Sequence, residues 1–329
     1  MRCFGTTSYL PLIAILLGVS ACGGESGSSP TPPPVPPPTG TPTPTPPPIT
    51  YSRFAELSGD QSFDSACAGL FNLSDPVLST GFGNYPDSGA SLNIDYVAST
   101  ETYVVEGGLD TPFTYSFGPA DRDAASTPSS ILYSRPDENG FTTRFGIGAR
   151  ALGSTSPDYV RTARLFSRPS NAVVDFYCVF GVPTQLDDEL PESTIEYSSF
   201  TISGNMFIRS GSLMGQYDLA ESTVTLSANP QNGEIRTRLT LTGRKFGPGG
   251  LSSERTPLGV YVGEAGVDGS VASFSGGVFG DDRAVGIGNF GGWFFGPQGR
   301  EAGYAFAFTA FTPDGSDEQL ASGVVTARR

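Results

Sequence analysis

The chain has 329 residues, a formal net charge of −14 and no histidine. Without histidine, Ser-His-Asp and Cys-His catalysis are excluded, as are zinc, haem and iron sites with histidine ligands. Its 33 acidic residues outnumber 19 basic ones, among which Lys245 is the only lysine. Because no basic cluster occurs, we expect no nucleic-acid partner. We also expect no cofactor.

The N-terminal residues have the composition of an export signal. Arg2 precedes the apolar stretch "YLPLIAILLGV", which is too short to span a membrane comfortably, and small residues follow it up to Cys22. This order predicts a signal peptide over residues 1–21. The cysteine after Ala21 resembles the lipobox of bacterial lipoproteins, in which Cys22 would carry acyl chains such as palmitate and become the mature N-terminus. An ordinary secretory signal, cut near Ala21, is the alternative.

Residues 22–50 are predicted to be a lipidated cysteine followed by a disordered tether. The segment "GGESGSSPTPPPVPPPTGTPTPTPPPIT" has almost no apolar side chains and cannot build a core. Its prolines favour polyproline II, a semi-rigid spacer. The residue after the cysteine is Gly23. By resemblance to enterobacterial lipoproteins, aspartate at this position would favour retention in the inner membrane, whereas glycine favours the outer membrane. We therefore expect a lipid anchor in the outer membrane, with the body at the periplasmic face or the cell surface.

Residues 51–329 are predicted to be all-β. Short alternating runs, rich in Ser, Thr, Phe and Tyr, end at Gly, Pro, Asn or Asp, and no helical stripe stands out. Runs from "SLNIDYVAST" to "NAVVDFYCVFG" predict an irregular antiparallel β domain over residues 51–185. About ten further runs over residues 186–329 predict an antiparallel up-and-down β-barrel of eight strands.

Alternation within the barrel strands indicates two different faces. In "GEIRTRLTLTGR", residues 235, 237, 239 and 241 are mainly apolar, whereas residues 236, 238, 240 and 242 are Arg or Thr. This alternation is typical of a sheet with one solvated face. In "EAGYAFAF", Tyr304, Phe306 and Phe308 share one face. If these aromatic side chains point inward, they fill an eight-stranded barrel and disfavour a ligand inside it.

Two cysteines, Cys67 and Cys178, remain in the exported body, where the compartment is oxidising. We expect a disulfide between them, which would close a loop of about 110 residues. On the chain-entropy model it would stabilise the fold by about 4–5 kcal/mol. Two separately buried thiols are the alternative. A catalytic cysteine is not expected, because no histidine or lysine lies near either one to lower its pKa.

The segment "GVPTQLDDELPESTIEY" predicts an exposed linker near residues 181–193, because prolines and an acidic trio at 187–189 interrupt the strands. The trio could instead form a calcium loop, but it lacks the alternating spacing and central glycine of a dedicated site. Carboxylate pairs such as Asp187-Asp188 and Asp281-Asp282 could serve a glycosidase. Their turn-like contexts favour solvated side chains, so we expect neither an enzyme nor a metal site.

The C-terminal segment carries a family pattern. "GSVASFSGGVFGDDRAVGIGNFGGWFFGPQGREAGYAFAF" resembles the barrel signature of the transferrin-binding protein B family. "FYCVFGVPT" followed by "LPESTIEYSSFTISG" is similar to the join before the barrel in transferrin-binding-protein-like lipoproteins. Gly299 and Ala302 depart from the signature, which usually has Ala and Gly there. The residues that match it are Gly292, Phe294, Phe295, Gly296, Pro297, Glu301, Gly303 and Phe306.

The resemblance, which covers mainly residues 170–329, implies a single lobe of that family. Its members are outer-membrane lipoproteins with an eight-stranded barrel beside a handle-like β domain, and they are often displayed at the cell surface. The best-known members capture iron-carrying host proteins with two such lobes. Transferrin specificity does not carry over to this chain, and no ligand-binding residue can be mapped onto it.

The sequence therefore predicts a non-catalytic lipoprotein that binds a protein or solute ligand through loops or an exposed edge, for example in nutrient or metal acquisition. We expect the body to be monomeric. A lipocalin-like carrier of a small hydrophobic ligand and a structural envelope lipoprotein are the alternatives. An enzyme fits the sequence less well, as does a transmembrane barrel, given the lipidated N-terminus, the long spacer and the charged end "VVTARR".

Overall fold

The structure, a computed structural model, describes residues 49–71, 77–82, 92–107, 112–136, 140–168, 173–211, 213–267, 272–280, 285–312 and 315–329. The predicted signal peptide, Cys22, nearly all of the predicted tether and the Asp281-Asp282 pair lie outside these residues. Within the described part, no helix is long and apolar enough to cross a membrane. Pro48–Arg329 forms one compact unit.

Two antiparallel sheets make up the N-terminal half. Their strands are β1 (Gln61–Phe63), β2 (Ser65–Phe71), β3 (Val77–Phe82), β4 (Leu92–Val97), β5 (Thr102–Gly107), β6 (Phe113–Phe117), β7 (Ser130–Pro136), β8 (Thr142–Gly148), β9 (Val160–Ser167) and β10 (Val174–Gly181). The first sheet has the order β1-β4-β5-β6, and the second has the order β3-β2-β10-β9-β8-β7. Short 3₁₀ helices occur at Phe54–Glu56 and Pro119–Asp121.

A closed barrel makes up the C-terminal half. Its strands are β11 (Ile195–Tyr197), β12 (Ser199–Ser210), β13 (Leu213–Asp218), β14 (Thr223–Asn229), β15 (Glu234–Gly247), β16 (Gly250–Leu251), β17 (Thr256–Val267), β18 (Ser273–Gly280), β19 (Val285–Phe295), β20 (Glu301–Phe311) and β21 (Asp317–Arg328). Eight strands close in the order β12-β13-β15-β17-β18-β19-β20-β21, with β21 paired to β12. β14 pairs with β15 and with β11, and β16 pairs with the end of β15. The predicted all-β class and eight-stranded barrel are therefore confirmed.

The two N-terminal sheets pack face to face around a common core. On β8 and β9, alternate residues such as Phe145 and Leu165 are buried against the first sheet, which contributes Ile94 and Val105. A disulfide joins Cys67 to Cys178. The two cysteines lie directly opposite each other on β2 and β10, and both are fully buried.

The barrel interior is filled with aromatic side chains. Tyr304, Phe306 and Phe308 point inward from β20 and are buried, as expected from their alternation. The ring centroids of Phe290 and Tyr304 lie 5.4 Å apart. The hydroxyl oxygens of Tyr304 and Thr237 share a hydrogen bond of 2.6 Å, so the polar tip of this tyrosine is satisfied inside the core. A packed interior of this kind resembles a protein core rather than a ligand cavity.

Small side chains on the outer face of β20 let the N-terminal half pack closely against the barrel. Ala305 and Ala307 contribute to a buried cluster with Ala66 and Ala68 of β2. Trp293 belongs to the same cluster, on the barrel side. The N-terminal sheets end at Gly181 and the barrel sheet begins at Ile195. Because both halves belong to one compact unit, the division between residues 185 and 186 stays a prediction.

Candidate functional site

Glu301, a residue of the predicted family motif, connects the barrel to the N-terminal half. Its side chain is completely buried. Oε1 accepts a hydrogen bond of 2.8 Å from the backbone N–H of Asp158. Oε2 accepts bonds of 2.9 Å from the backbone N–H groups of Tyr159 and Val160. A buried carboxylate needs such charge-assisted partners, so this residue holds the loop before β9 against the barrel.

Arg328, near the end of β21, completes this contact. It donates from Nη2 to Glu301 Oε1 over 2.6 Å and to Asp158 Oδ2 over 2.7 Å. Its side chain is only 11% exposed. We refer to Glu301, Arg328 and Asp158 as the interdomain latch. The latch is a structural contact, because the oxygens of Glu301 are taken up by the protein itself.

Gly296 binds the segment that connects the N-terminal sheets to the barrel, near the interdomain latch. Its N–H donates to the carbonyl of Val182 over 3.0 Å. Its carbonyl accepts from the Thr184 hydroxyl over 2.7 Å. Its backbone is left-handed, with φ of 68°, and a Cβ there would overlap the Tyr159 ring, so only glycine fits.

The segment predicted as an exposed linker is thus partly docked. Thr184 is buried, and its N–H donates to the carbonyl of Phe294 over 2.9 Å. The segment is exposed from Gln185 onward, at residues such as Leu186, Asp187, Glu189, Glu192 and Ser193. The prediction from proline and acidic residues therefore missed the backbone hydrogen bonds that fix the start of the segment.

The other residues of the family motif also face the protein interior. Phe294 and Phe306 belong to the barrel core, and Phe295 packs against the N-terminal half. The motif residues other than Pro297, which is half-buried, are all buried: Gly292, Phe294, Phe295, Gly296, Glu301, Gly303 and Phe306. The motif builds the β19–β20 hairpin and its contact with the N-terminal half, and it offers no surface to a ligand.

One residue of the acidic trio at 187–189, Asp188, contacts a tyrosine. Asp188 Oδ2 accepts from the Tyr51 hydroxyl over 2.9 Å and from the Gln298 N–H over 2.7 Å. Burial raises the pKa of Tyr51 to about 12, with a further contribution from the Asp188 charge, so its hydroxyl remains a donor. Among the described residues, no group of three or more Cys, Asp or Glu side chains could hold a metal ion.

A second polar network crosses the interface at Asp175, which is almost fully buried. Arg164 makes a bidentate ion pair with it, over 2.7 and 2.8 Å. Asn205 of the barrel donates from Nδ2 to Asp175 Oδ2 over 3.0 Å and to the Tyr177 hydroxyl over 2.8 Å. Burial raises the pKa of Tyr177 well above its usual range. The network satisfies its own buried groups and aligns β9, β10 and β12.

Exposed apolar side chains gather at one end of the barrel. Leu213, at the start of β13, is 75% exposed, and Met214 beside it is also exposed. Phe246 and Leu251 are exposed too, and they lie opposite each other on β15 and β16. We call these four residues the barrel rim. They belong to neighbouring strands, because β13 pairs with β15 where Tyr217 faces Lys245.

The hairpin that carries Phe246 and Leu251 is held in place by its own hydrogen bonds. Ser252 donates its N–H to the carbonyl of Lys245 over 2.8 Å. Arg244 donates from Nε to the carbonyl of Ser252 over 2.6 Å. A hollow of about 580 Å³ lies along the hairpin. These hydrogen bonds constrain the hairpin backbone and therefore the positions of Phe246 and Leu251.

Two more apolar side chains are exposed at the same end of the barrel, on β19 and β20. They are Ile287, which is 74% exposed, and Phe311. The far end of the barrel carries the interdomain latch. The large exposed apolar residues described in the barrel therefore all lie away from the N-terminal contact. Grouped exposed apolar residues mark interaction sites more often than single ones do. None of these residues was predicted as a site, although those of the barrel rim lie in or beside the turns "SGSLMG" and "KFGPGGL".

Comparison with solved structures found similarities at low identity. The chain aligns with transferrin binding protein B from Haemophilus parasuis Hp5 at 10% identity and a TM-score of 0.38, over 83% of this chain and 77% of that one. It aligns with isotype 1 transferrin binding protein B from serogroup B Neisseria meningitidis at 12% identity and 0.40, over 77% and 58%. The haemoglobin receptor HpuA from Kingella denitrificans aligns at 14% identity and 0.33, over 85% and 88%.

At these identities and TM-scores we base neither the fold nor the function on the similarities. The all-β class and the barrel rest on the strand pairing described above. No family model and no curated protein matches the chain.

Proposed function

We propose that this protein is a non-catalytic, lipid-anchored protein of the outer membrane that binds a protein partner through the barrel rim. The observation that carries the proposal is the rim itself, where Leu213, Met214, Phe246 and Leu251 are exposed on neighbouring strands. A soluble surface gains nothing from such a group unless a partner covers it. The strongly acidic chain favours a partner with a basic surface around the contact.

A carrier of a small hydrophobic ligand is disfavoured by the packed barrel. Tyr304, Phe306 and Phe308 occupy the centre that a lipocalin-like ligand would need. A structural envelope protein needs no exposed apolar rim, so the rim favours a binding protein over that alternative. An enzyme is disfavoured because the buried carboxylates Glu301 and Asp175 are committed to structural contacts.

The anchor in this proposal is Cys22, followed by the tether over residues 22–50, as the sequence predicts. Replacing Cys22 by serine should abolish incorporation of labelled palmitate and release the protein from the outer-membrane fraction. Protease treatment of intact cells then distinguishes the two faces of the membrane. If the body is cleaved only in permeabilised cells, display at the cell surface is wrong while the anchor stands.

The rim is tested with a double variant, Phe246→Ser and Leu251→Ser, in the full-length lipoprotein. Proteins captured from the growth environment by the wild-type chain are compared with those captured by the variant. We expect a partner that is retained by the wild-type chain and whose affinity falls about tenfold in the variant. Phe246 and Leu251 are 41% and 38% exposed, so covering the exposed part of each contributes about 1 kcal/mol.

Leu186→Ser is the matched control, since Leu186 is an exposed leucine of the connecting segment, 64% exposed and away from the rim. It should leave the partner bound. A partner that is lost equally in both variants, or retained by both, would show that the rim is not the binding surface.

A further inference from the structure

The second N-terminal sheet has one face that is only partly covered by the barrel. On this face, Ala68 of β2 and Val179 of β10 pack against barrel residues such as Ala305. The same face continues across β9, β8 and β7, where the sheet diverges from the barrel. A cleft of about 620 Å³ opens there, between β7–β9 on one side and β12 and β13 on the other.

This cleft continues into a second hollow of about 470 Å³ along the outer strands of the same sheet. The two share Leu132, Gly146 and Arg164, which lie in one row across β7, β8 and β9. Gly146, in the middle of this row, and Gly148 have no side chain, so the cleft is deeper over β8 than over the neighbouring strands. The volume of the first cleft lies within the range of small-molecule sites.

Three arginines lie along the two hollows, and two of them have no carboxylate partner among the described residues. Arg150 is exposed and donates to the Ile202 carbonyl and the Ser203 hydroxyl, over 3.1 and 3.2 Å, with no carboxylate partner among the described residues. Arg144, in the second hollow, is exposed and forms no ion pair within the described part. Arg164 lies between the two hollows, its side chain half-exposed and fixed by Asp175.

The rest of the lining is suited to hydroxyl groups. Serine and threonine hydroxyls face the first cleft from several strands, and Asp218 adds a carboxylate beside them. Asp218 Oδ1 accepts from the Ala220 N–H over 3.0 Å, which positions the group and leaves its other oxygen as an acceptor. The hydroxyl residues are Ser129, Ser130, Ser156, Thr162 and Ser203.

We infer that this cleft binds an acidic saccharide, a hydroxylated ring that carries one carboxylate or phosphate. Arg150 binds the anionic group, since it lines the cleft and guanidinium donors match carboxylate and phosphate oxygens. Asp218 and the serine and threonine hydroxyls bind the ring hydroxyls. Because a chain with a net charge of −14 repels anions, a guanidinium that has no carboxylate partner within the described part is the feature that would let an anion bind here. This site is separate from the barrel rim and does not depend on it.

Isothermal titration calorimetry of the full-length protein tests the site with glucuronate, glucose 6-phosphate, glucose and inorganic phosphate. We expect one of the two acidic sugars to bind, and glucose to bind at least about tenfold more weakly, because it lacks the charge-assisted bonds. The variant Arg150→Gln should weaken the acidic sugar at least about tenfold. It leaves the Arg164–Asp175 pair intact, and an unchanged urea midpoint shows that losing the hydrogen bonds of Arg150 to β12 does not unfold the protein.

Arg238→Gln is the matched control, because Arg238 is an exposed arginine on the outside of β15 and does not line the cleft. It should bind like the wild-type chain. Preference for glucuronate would identify a carboxylate ligand, and preference for glucose 6-phosphate a phosphorylated one. Inorganic phosphate binding as tightly as either sugar would overturn the inference, since the hydroxyl groups would then contribute nothing. Absence of binding at millimolar sugar would overturn it as well.

Discussion

Replacing Glu301 by glutamine removes the charge of the interdomain latch while keeping its shape. In the wild-type protein this carboxylate accepts three backbone N–H bonds and the guanidinium of Arg328, with no exposure to solvent. A glutamine amide presents one oxygen and one NH₂ group, so at least one buried N–H would face a donor. Among the described residues, Asp158 is the carboxylate that would still pair with Arg328.

The expected cost follows from these contacts. Breaking a buried ion pair by removing one partner costs about 3–5 kcal/mol, and one lost hydrogen bond to a charged group costs about 1.5–3 kcal/mol. Because Asp158 still neutralises Arg328, we expect a loss of about 3–4 kcal/mol in the free energy of unfolding. Urea denaturation, followed by circular dichroism on the full-length protein, measures this quantity.

Glu234→Gln provides the matched control. Glu234 pairs with Arg236 on the barrel surface over 2.6 Å, but the Arg236 side chain is 62% exposed. Surface pairs of this kind contribute about 0–1 kcal/mol. If Glu301→Gln costs no more than Glu234→Gln, the latch does not stabilise the join and our account of the family motif is wrong.

Three further predictions concern the cores. Replacing Cys67 and Cys178 by serine should lower the free energy of unfolding by about 4–5 kcal/mol on the chain-entropy model, as measured by urea denaturation; an unchanged midpoint would contradict it. Phe306→Ala should cost about 3–5 kcal/mol by leaving a cavity in the barrel, whereas Phe311→Ala, at an exposed position, should cost far less. Burial raises the pKa of Tyr103 to about 12, above an unfolded value of about 10. Its contribution to stability is complete below pH 10 and is lost as the pH rises through about 12, so alkaline unfolding curves of Tyr103→Phe should fall less steeply there.

Most of the fold follows from local patterns. β15 was predictable because its buried and exposed residues alternate along the strand, from Ile235 onward. β2 was missed for the opposite reason, since Ser65–Phe71 is buried on both faces and its sequence "SACAGLF" shows no alternation. β1 and β3 are short strands that pair beside elements already assigned, and their sequences contain no distinctive run.

The candidate sites were less accessible to sequence reasoning. The latch joins Glu301 to residues more than 140 positions earlier in the chain, and no spacing rule connects them. The cleft depends on Arg150 and Arg164 facing a space that exists only because one sheet diverges from the barrel. The rim was the most accessible feature, because apolar residues next to glycine-rich turns can be recognised without a structure.

The latch also sets the order in which the chain can be completed. A chain is synthesised from its N-terminus, so the amides of Asp158, Tyr159 and Val160 are present before Glu301 is. Until β20 supplies Glu301, these three amides lack their acceptor, and until β21 supplies Arg328, the buried carboxylate lacks its counterion. The loop before β9 in the N-terminal half therefore reaches its final hydrogen bonding only when the last strands are present. A chain truncated before β21 would destabilise this loop as well as the barrel.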